Sequence, residues 1–408
     1  MKITGLNINN NAAQQNKVAE VKEFLGEHYE IRVNEFDPSK SVIRPKTKLY
    51  ANPVTFDDIS LHLIEEGITV SDTILRKILR SPNQVATYNP IHEYFDSLRG
   101  KYRGVSHIDL LMSHLTMREY PGKKKGYYQE RMYIYMKKWF VATAACAMGI
   151  QFNDVAMGLI HSKEGIGKSH FFKNFIIPEQ LRNLIADPKE DGKFNLEESF
   201  ARYFIVYFDE LFGLNSRNEE EFKKVMRASE IDVYYPREIQ PIRRPRIASA
   251  CFTSNKIPEL GGFLTSGMGY SRWLVLELDK INHDYAKKVD VDQIWAEALL
   301  LIDQDFNYKW GMSDWEEFED HNQRYLKETT SMKYIKMYFD FPVNGEGQWL
   351  QPKEILNLLV TTKKLRREDQ HKVSDVKLGE ALCALNFEKR SVWKSGGARN
   401  CYYVKLVE

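Results

Sequence analysis

Hydrophobic positions repeat with two different periods along the central part of the chain. Between residues 90 and 150 the spacing is helical, and it predicts three helices: one opened by Asn89-Pro90 and ending at Gly100, one over Ile108–His114, and one from about Gln129 to Met148. From about 155 to 305, short apolar runs alternate with helical segments, and four of these runs are predicted strands: Val155–Ile160, Tyr203–Phe208, Ile247–Thr253 and Trp273–Leu278. The alternation predicts an α/β fold with a mainly parallel sheet covered by helices.

The two ends of the chain have patterns of their own. Residues 1 to about 16 are rich in Asn and Gln and are predicted to be disordered. The segment after them predicts a mixed α/β region: a helix over Val18–His28, a strand over Tyr29–Asn34, and helices around 55–67 and 71–80. Near the C-terminus, a helix begins at Pro352, a second is capped by Ser374, and two strand-like runs follow. This order of helix, helix and hairpin is typical of a winged-helix domain.

Composition sets limits on the class of protein. With 408 residues, 43% of them hydrophobic and 28% charged, the chain resembles an ordinary globular protein of about two to three domains. The formal net charge of +2 indicates no particular partner, so a DNA-binding surface must come from local basic clusters. The four cysteines form no Cys-x-x-Cys pair and have no histidine at zinc spacing, which predicts reduced thiols and no structural zinc. Without a signal segment or an apolar run long enough to cross a bilayer, the chain is expected to be cytoplasmic, with no membrane contact.

The strongest local signal is the segment MGLIHSKEGIGKSHFFKNF, residues 157–175, in which an apolar strand, a glycine-containing loop and a helix follow one another. This order is typical of a phosphate-binding P-loop, where backbone N–H groups and a helix N-terminus converge on phosphate oxygens. Lys168 is predicted to neutralise the β- and γ-phosphates, and Ser169 to offer its hydroxyl to Mg²⁺. Ser162 replaces the first glycine of the full pattern, and the competing interpretation is a chance glycine-rich turn before a helix. The predicted nucleotide-binding residues are Gly165, Ile166, Gly167, Lys168, Ser169 and His170.

Polar residues follow two further predicted strands. The run RYFIVYFDEL, residues 202–211, ends in Asp209 and Glu210, which places two carboxylates at the edge of the sheet beside the phosphates. We predict that Asp209 belongs to the Mg²⁺ shell and that Glu210 polarises the attacking water. Asn255 follows ASACFTS and is predicted to orient that water and to sense the γ-phosphate. Because Pro258 stands where a guanine-reading Asp would be needed, guanine specificity is not expected.

Two arginine-containing segments are candidates for further roles. Arg272, at the start of the strand WLVLEL, is a candidate arginine finger for the γ-phosphate of a neighbouring subunit, and the alternative is a structural ion pair. The segment VYYPREIQPIRRPRIASACF predicts a β-hairpin with Arg237, Arg243 and Arg244 at its tip. These arginines are candidates for gripping single-stranded DNA in a central pore. A solvated basic hairpin is the competing interpretation.

Taken together, the motifs GIGKS, YFDEL, RPRIASACFTSN, GYSRWLV and IWAEA resemble the virulence-associated E family of phage and mobile-element replication proteins. That family is similar to superfamily 3 helicases within the AAA+ group, and the resemblance covers roughly residues 25–305. It implies an AAA+ ATPase core with ATP and Mg²⁺ as cofactors, in a homo-oligomeric ring, most often a hexamer, around single-stranded DNA. In such a ring one subunit supplies Lys168, Ser169, Asp209, Glu210 and Asn255, and the next supplies Arg272.

The chain departs from the family pattern at two positions. Ser162 stands in place of the first P-loop glycine, and Ser271 stands where many relatives carry a second arginine before the strand. The second departure leaves open whether Arg272 acts in trans as a finger or in cis as a sensor. Many relatives also carry a primase, which this chain has no room for, so a primase partner would be encoded separately.

These patterns divide the chain into five predicted regions. They are an N-terminal mixed α/β region (1–88), a helical collar or oligomerisation domain (89–150), the superfamily 3-like AAA+ ATPase domain (151–305), a linker with helical segments (306–348) and a winged-helix DNA-binding domain (349–408). The expected function is ATP-driven movement along single-stranded DNA during replication of a phage or mobile element in a bacterial host. The alternatives are an ATP-dependent DNA-binding initiator, loader or defence switch without processive unwinding, a small-molecule kinase and, more remotely, a structural protein with a relict P-loop.

Overall fold

The structure is a computed structural model of the chain, and it describes residues 7–36, 41–46, 54–81, 84–189, 194–211, 219–234, 240–265, 268–342, 345–394 and 397–407. Across these ranges the architecture is mixed α/β with a parallel-rich central sheet, which confirms the fold class predicted from the alternating pattern. The buried hydrophobic residues gather into clusters that define an N-terminal unit, a central unit and a C-terminal unit.

The N-terminal unit is a small sheet packed against three helices. Its elements are α1 (Asn7–His28), β1 (Tyr29–Asn34), β2 (Ser41–Pro45), α2 (Phe56–Glu65), α3 (Asp72–Arg80) and β3 (Ala86–Tyr88). β1 lies between its two partners, antiparallel to β2 and parallel to β3. The prediction of disorder is wrong for residues 7–16, because α1 begins at Asn7. The Ala and Gln residues of that segment have high helix propensity, and the helix continues directly into the amphipathic part that was predicted.

The central unit holds the predicted helices and strands of residues 90–305. Its elements are α4 (Pro90–Leu98), α5 (His107–Met112), β4 (Leu115–Met117), α6 (Tyr127–Ala147), β5 (Ala156–Ile160), α7 (Lys168–His170), β6 (Ile185–Ala186), α8 (Leu196–Arg202), β7 (Ile205–Phe208), α9 (Glu219–Arg227), β8 (Glu230–Val233), β9 (Ile242–Pro245), β10 (Ser249–Ser254), β11 (Trp273–Ile281), α10 (Tyr285–Lys288) and α11 (Val291–Asp303). A π-helical segment, Phe171–Phe175, continues α7, and short 3₁₀ turns cover Glu179–Leu184, Asp209–Leu211 and Pro258–Leu260.

The central sheet has the strand order β4-β11-β5-β10-β7-β6. All neighbouring pairs are parallel except β4 and β11, which are antiparallel. Every residue of β5, β7 and β10 is buried, as expected for parallel strands that are covered on both faces. The carboxyl ends of these strands therefore meet at one edge of the sheet.

Helices cover both faces of the sheet. On one face α6 and α11 pack together, and the fully buried Trp139 and Trp295 lie in a hydrophobic cluster that also contains residues of α4 and α5. The helical segment of residues 90–147 and the sheet therefore share one core. On the other face α8 and α9 contribute to a second cluster, in which Phe222 stacks on Trp273 of β11 with a centroid distance of 5.1 Å.

After α11, helix α12 (Met312–Asn322) packs against β11 and contributes Phe318 to the central cluster. The C-terminal unit follows, and its elements are α13 (Thr330–Tyr338), β12 (Phe339–Asp340), β13 (Gln348–Leu350), α14 (Pro352–Thr361), α15 (Asp375–Ala384), β14 (Lys389–Lys394) and β15 (Gly397–Leu406). Pro352 is the first residue of α14, and the Ser374 side chain caps α15 by accepting from Lys377 N, as predicted. β15 pairs with β12, β13 and β14 in a small antiparallel sheet, and residues of the helices and of β15 share one hydrophobic cluster.

Two global properties follow from these elements. Within the described ranges, every helix is too short or too polar to span a lipid bilayer. The thiols of the four cysteines are all free, and three of them lie buried: Cys146, Cys251 and Cys401.

Candidate functional site

The loop after β5, residues 161–167, folds around two glycines. Gly165 and Gly167 have φ angles of 73° and 97°, in the left-handed region that any side chain makes unfavourable. Gly167 is constrained a second time, because a Cβ atom there would lie 2.6 Å from Cε1 of His283. Ser162 is not among the described residues with a positive φ. The loop backbone therefore needs no glycine at the position where the sequence departs from the full pattern.

The ammonium group of Lys168 lies inside this loop. Its Nζ donates to the carbonyl oxygens of His161 and Lys163 at 3.1 and 3.2 Å, and to Oδ1 of Asn255 at 2.6 Å. The residue is buried, and burial lowers the pKa of the ammonium group, although nearby carboxylates, Glu210 foremost, oppose that shift. Because all three acceptors are neutral, the positive charge of Lys168 remains available to an anion that enters the loop.

Asp209, which follows β7, collects hydrogen bonds from three elements. Its Oδ1 accepts from Tyr207 OH at 2.9 Å, from Thr253 Oγ1 at 3.1 Å and from Ser169 Oγ at 3.4 Å. Its Oδ2 accepts from Lys189 Nζ at 2.7 Å. Burial raises the pKa of the Asp209 carboxyl, but the hydrogen bonds, that from Lys189 first, outweigh burial and lower the pKa overall. Asp209 is thus an ionised carboxylate at neutral pH.

Glu210 has an unusual backbone conformation for a residue with a side chain. Its φ and ψ angles are 52° and 28°, and Leu211 also has a positive φ, of 55°. Such left-handed residues cost about 1–2 kcal/mol each, and backbone strain of this kind concentrates at functional sites. The strained turn brings Oε2 of Glu210 to 3.2 Å from the backbone N–H of Asn255, which donates to it. Asn255 therefore contacts Lys168 through its side chain and Glu210 through its backbone.

The position of these residues in the sheet follows from its topology. After β5 the chain runs to β6 at one edge, returns inward through β7 and β10, and then crosses to β11 on the other side of β5. The connections that leave β5 and β10 therefore run in opposite directions. In open α/β sheets, ligands bind outside the carboxyl ends of strands at such a switch point. Lys168 and Asn255 meet at this point.

Ser169 and Asp209 offer the oxygen donors that Mg²⁺ prefers. In nucleotide sites Mg²⁺ is commonly held by one or two carboxylates together with phosphate oxygens and several waters. In the described residues, no three His, Cys, Asp or Glu side chains gather in a way that could hold a metal ion by themselves. The donor set at Ser169 and Asp209 fits a magnesium ion whose remaining ligands are phosphate and water.

Comparison with known proteins gives a family for this arrangement. The sequence model of the Virulence-associated protein E-like domain matches residues 101–330, which is more than half of the chain. The chain belongs to the virulence-associated protein E-like family. The match includes the glycine loop, Asp209, Glu210, Asn255 and Arg272.

Other comparisons add little to this family assignment. Two solved structures of the NrS-1 C terminal region, both A form and apo, match with TM-scores of 0.44 and 0.42 and 10% sequence identity. The alignments cover 96% and 95% of this chain and 99% and 98% of the matched chains. A comparison with curated proteins gave no match.

Arg272 lies apart from the other predicted site residues. It precedes β11, and its carbonyl oxygen accepts from the N–H of Ala156, the first residue of β5. Lys168 follows the opposite, carboxyl end of β5. The Arg272 guanidinium is largely buried and pairs with Asp154 at 2.9 Å, and burial lowers its pKa although Asp154 opposes that shift. The structure therefore does not bring Arg272 to the Lys168 site of its own chain.

Two of the three predicted DNA-binding arginines lie in a strand and not at a hairpin tip, and the third, Arg237, lies outside the described residues. Arg243 and Arg244 lie within β9, opposite Asp232 and Ile231 of β8, because the ladder extends to the Val233–Ile242 pair and so includes both arginines. Both of these arginines are in ion pairs.

One of these ion pairs lies within the hairpin, and the other links the hairpin to another part of the chain. Arg243 Nε lies 3.1 Å from Oδ1 of Asp232 within the hairpin, and this hydrogen bond raises the pKa of Arg243. Arg244 Nη1 lies 2.5 Å from Oε1 of Glu35. Glu35 directly follows β1, so the second pair fastens the hairpin to the N-terminal unit. Nucleic acid would have to compete with Glu35 for Arg244.

A change at Glu35 tests whether this pair restrains Arg244. Glu35→Gln is expected to strengthen single-stranded DNA binding and to steepen the dependence of log affinity on log salt by about 0.7, the increment for one more phosphate contact. Fluorescence anisotropy over a salt series measures both quantities. Glu93→Gln is the matched control, because Glu93 pairs with Arg32 and not with the hairpin. An unchanged salt dependence for Glu35→Gln would show that Arg244 takes up no phosphate when it is released.

Several residues of the site were not predicted from the sequence. Tyr207 and Thr253 carry hydroxyl groups within largely apolar strands, and this signal was present in YFIVYFDE and ACFTSN. Lys189 and His283 come from segments that the motifs do not include, and no local pattern marks them. Lys189 matters most for the chemistry, since its ammonium group occupies one oxygen of Asp209.

Replacement of Lys189 by methionine removes the cation that pairs with Asp209 and that would compete there with a metal ion. The Lys189 side chain is about half exposed, so the pair is screened by solvent and the expected effect is modest. We expect Lys189→Met to tighten Mn²⁺ binding by about two- to fivefold, the range of an exposed ion pair. Titration of free Mn²⁺ followed by electron paramagnetic resonance measures this. Lys372→Met, which removes a similarly exposed pair with Asp369, is expected to leave the affinity unchanged, and weaker Mn²⁺ binding by Lys189→Met would contradict the competition.

Proposed function

We propose that this chain is a P-loop ATPase of the AAA+ group that forms a ring and moves along single-stranded DNA as a helicase or translocase. The proposed setting is the replication of a phage or mobile element. The observation that carries the proposal is the contact between Lys168 and Asn255 at the switch point of the sheet, at 2.6 Å. Ser169 and Asp209 lie directly beside it, 3.4 Å apart. A lysine, a hydroxyl and a carboxylate around a glycine loop match the needs of a nucleoside triphosphate and its metal ion.

The loop residues provide the binding step. Backbone N–H groups of residues 165–170 would surround the phosphates, and Lys168 would exchange its neutral acceptors for phosphate oxygens. Magnesium, held by Ser169 and Asp209, would neutralise charge that develops on the phosphates. Lys189 would release Oδ2 of Asp209 as the metal site fills.

Glu210 and Asn255 would act in the hydrolytic step. The strained turn holds the Glu210 carboxylate at the carboxyl edge of the sheet, where it would orient a water molecule and accept its proton. Asn255 contacts both Lys168 and Glu210. A γ-phosphate that displaces the Asn255 side chain from Lys168 would therefore also shift the backbone N–H of Asn255 that donates to Glu210. Such coupling agrees with a sensing role for the asparagine.

A role for Arg272 in hydrolysis requires a second copy of the chain. Within one chain Arg272 lies at the amino end of β11, on the opposite edge of the sheet from Lys168, and pairs with Asp154. A cleft beside Arg272 is also lined by Lys223, Lys224 and Arg227 and by one acid, Glu220, which pairs with Lys223. Four cations against one carboxylate leave this surface positive. This cationic surface would suit the phosphates of a nucleotide that is bound to a neighbouring subunit, and it supports a ring in preference to a monomer.

The C-terminal unit favours an ATPase that acts on DNA over one that acts on a small molecule. Two helices, α14 and α15, pack against a sheet that ends in the β14–β15 hairpin, which is the order of a winged-helix domain. A small-molecule kinase would not need such a unit.

The proposal is tested by measuring ATP hydrolysis with and without single-stranded DNA, together with release of a labelled strand from a forked duplex. The expected result is DNA-stimulated hydrolysis, strand release and particles that contain several copies of the chain. Hydrolysis that DNA does not stimulate would contradict action on nucleic acid. Stimulated hydrolysis without strand release would limit the protein to an ATP-dependent DNA-binding switch.

A further inference from the structure

The β14–β15 hairpin extends beyond the rest of the C-terminal sheet as a two-stranded ribbon. Lys389–Lys394 pairs antiparallel with residues 397–402 of β15, whereas β13 and β12 pair only with residues 402–406. Residues 391–394 and 397–400 therefore pair in the sheet only with each other, while Lys394 also donates to the carbonyl oxygen of Trp349 at 2.8 Å. Most of their side chains are exposed.

Trp393 lies on this ribbon with its ring uncovered. It is 76% exposed, more than any other large hydrophobic side chain in the described residues. The residue directly across the ladder is Ala398, and side chains opposite each other in an antiparallel pair share one face. Because alanine is too small to cover an indole, one face of the Trp393 ring is open. Burying this ring in a complex would be favourable.

The charges around Trp393 indicate what would cover it. Two arginines, Arg390 and Arg399, lie near each other as diagonal neighbours on the other face of the ribbon. In the part of the chain that the structure describes, neither forms an ion pair. Of the two lysines of the ribbon, Lys394 is neutralised by Glu354 at 2.9 Å, and Lys389 lies over the ring of Tyr402 at 5.9 Å.

The ribbon belongs to a basic part of the chain. Residues 349–408 contain twelve Lys and Arg and seven Asp and Glu, whereas the formal net charge of the whole chain is only +2. Residues 349–408 therefore carry an excess of five positive charges (12 − 7), more than the net charge of the whole chain. A surface that is both positive and aromatic is complementary to an unpaired nucleic acid strand, in which phosphates and base faces are both accessible.

We propose that the β14–β15 hairpin is a binding site for single-stranded nucleic acid, in which an unpaired base stacks on Trp393 and backbone phosphates contact Arg390 and Arg399. The ribbon is only two β-strands wide. A single nucleic-acid strand that crosses the edge of the ribbon would therefore reach the indole on one face and the two arginines on the other. A duplex has no free base face for the indole, because its bases are already stacked. The inference rests on the proposed function and deepens it, since it names a DNA contact outside the ATPase core.

The test is equilibrium binding of a fluorescent single-stranded oligonucleotide to the full-length chain, without nucleotide, at several salt concentrations. Trp393→Ala is expected to weaken binding about tenfold, within the range of one lost base stack, whereas Trp393→Phe keeps most of the affinity. Joint replacement of Arg390 and Arg399 by alanine is expected to reduce the salt slope by about 1.4, which corresponds to two phosphate contacts. Circular dichroism of each variant confirms that the fold is retained.

Each possible outcome bears on the inference. Wild-type affinity of Trp393→Ala for the single strand would overturn it and would leave the proposed ATPase function intact. An equal loss of affinity for a duplex of the same length would overturn the assignment to single strands. Changed self-association without a change in oligonucleotide binding would overturn it as well and would show that Trp393 contacts a second copy of the chain. If the wild-type chain bound no single strand at all, the proposed action on DNA would fail together with the inference.

Discussion

Replacement of Lys168 by alanine is expected to lower ATP turnover by about a hundredfold to a thousandfold, the usual cost of losing one charged group that stabilises the transition state. Lys168 is the only cation within hydrogen-bonding distance of both the loop carbonyls and Asn255 in the described residues. Alanine leaves the neutral acceptors in place but removes the charge that a phosphate needs. The measurement is steady-state phosphate release at saturating ATP, with and without single-stranded DNA.

The control for this prediction is an exposed lysine outside the site. Lys77→Ala changes a side chain on the surface of α3 and is expected to hydrolyse ATP at the wild-type rate. Thermal unfolding of Lys168→Ala near the wild-type temperature would show that the lost activity does not come from a lost fold. Turnover within twofold of wild type by a folded Lys168→Ala protein would contradict the proposal that the glycine loop binds the phosphates of ATP.

Replacement of Trp295 by alanine is expected to lower the free energy of unfolding of the central unit by about 3–5 kcal/mol. Trp295 is fully buried, and its ring contacts Phe95, Phe140 and Phe204 at centroid distances of 5.8, 5.4 and 5.2 Å. Its indole N–H donates to the carbonyl of Ile176 at 3.0 Å. Alanine therefore leaves a cavity between three aromatic rings and a buried carbonyl without its donor.

Urea-induced unfolding followed by circular dichroism measures this effect. Trp393→Ala is the matched control, because it makes the same chemical change at an exposed position, and it is expected to alter the unfolding free energy by less than about 0.5 kcal/mol. Because Ile176 directly follows the helical segment that begins at Lys168, the Trp295 hydrogen bond also supports the element behind the glycine loop. Equal stability of the two variants would contradict the placement of Trp295 at the centre of the core.

The parallel sheet was predictable because its strands are buried on both faces. Such strands have largely apolar sequences, as in residues 156–160 and 205–208, and their alternation with helices limits the possible folds. The shortest strands were not predictable. β4 and β6 have three and two residues, too few to show any period, and their pairing depends on longer neighbours.

The core of the candidate site was predictable because its motifs are contiguous. Gly165, Gly167, Lys168 and Ser169 lie in one loop, and Asp209 follows directly from an apolar strand, so sheet topology alone brings them together. Whether they act on a nucleotide remains a prediction. Lys189 could not be foreseen, since its contact with Asp209 joins segments 20 residues apart that share no motif.

Ion pairs over long sequence distances explain the other differences. The sequence shows the charge of an arginine but not its partner. Arg244 pairs with Glu35, 209 residues away, and Arg272 pairs with Asp154, 118 residues away. Both contacts depend on how separate elements pack. The pair with Glu35 restrains Arg244, which from the sequence alone is a candidate for free contact with DNA. The pair with Asp154 holds Arg272 away from the Lys168 site, so that Arg272 could act only on a neighbouring subunit.

The central claim is that the glycine loop of residues 161–167, with Lys168 and Ser169, holds a magnesium-bound nucleoside triphosphate. Isothermal titration calorimetry of the purified chain with a slowly hydrolysed ATP analogue and Mg²⁺ tests it most directly. The account predicts saturable binding of about one nucleotide per chain, with the heat of binding lost in Lys168→Ala. Absence of any saturable heat from the folded wild-type chain would contradict it.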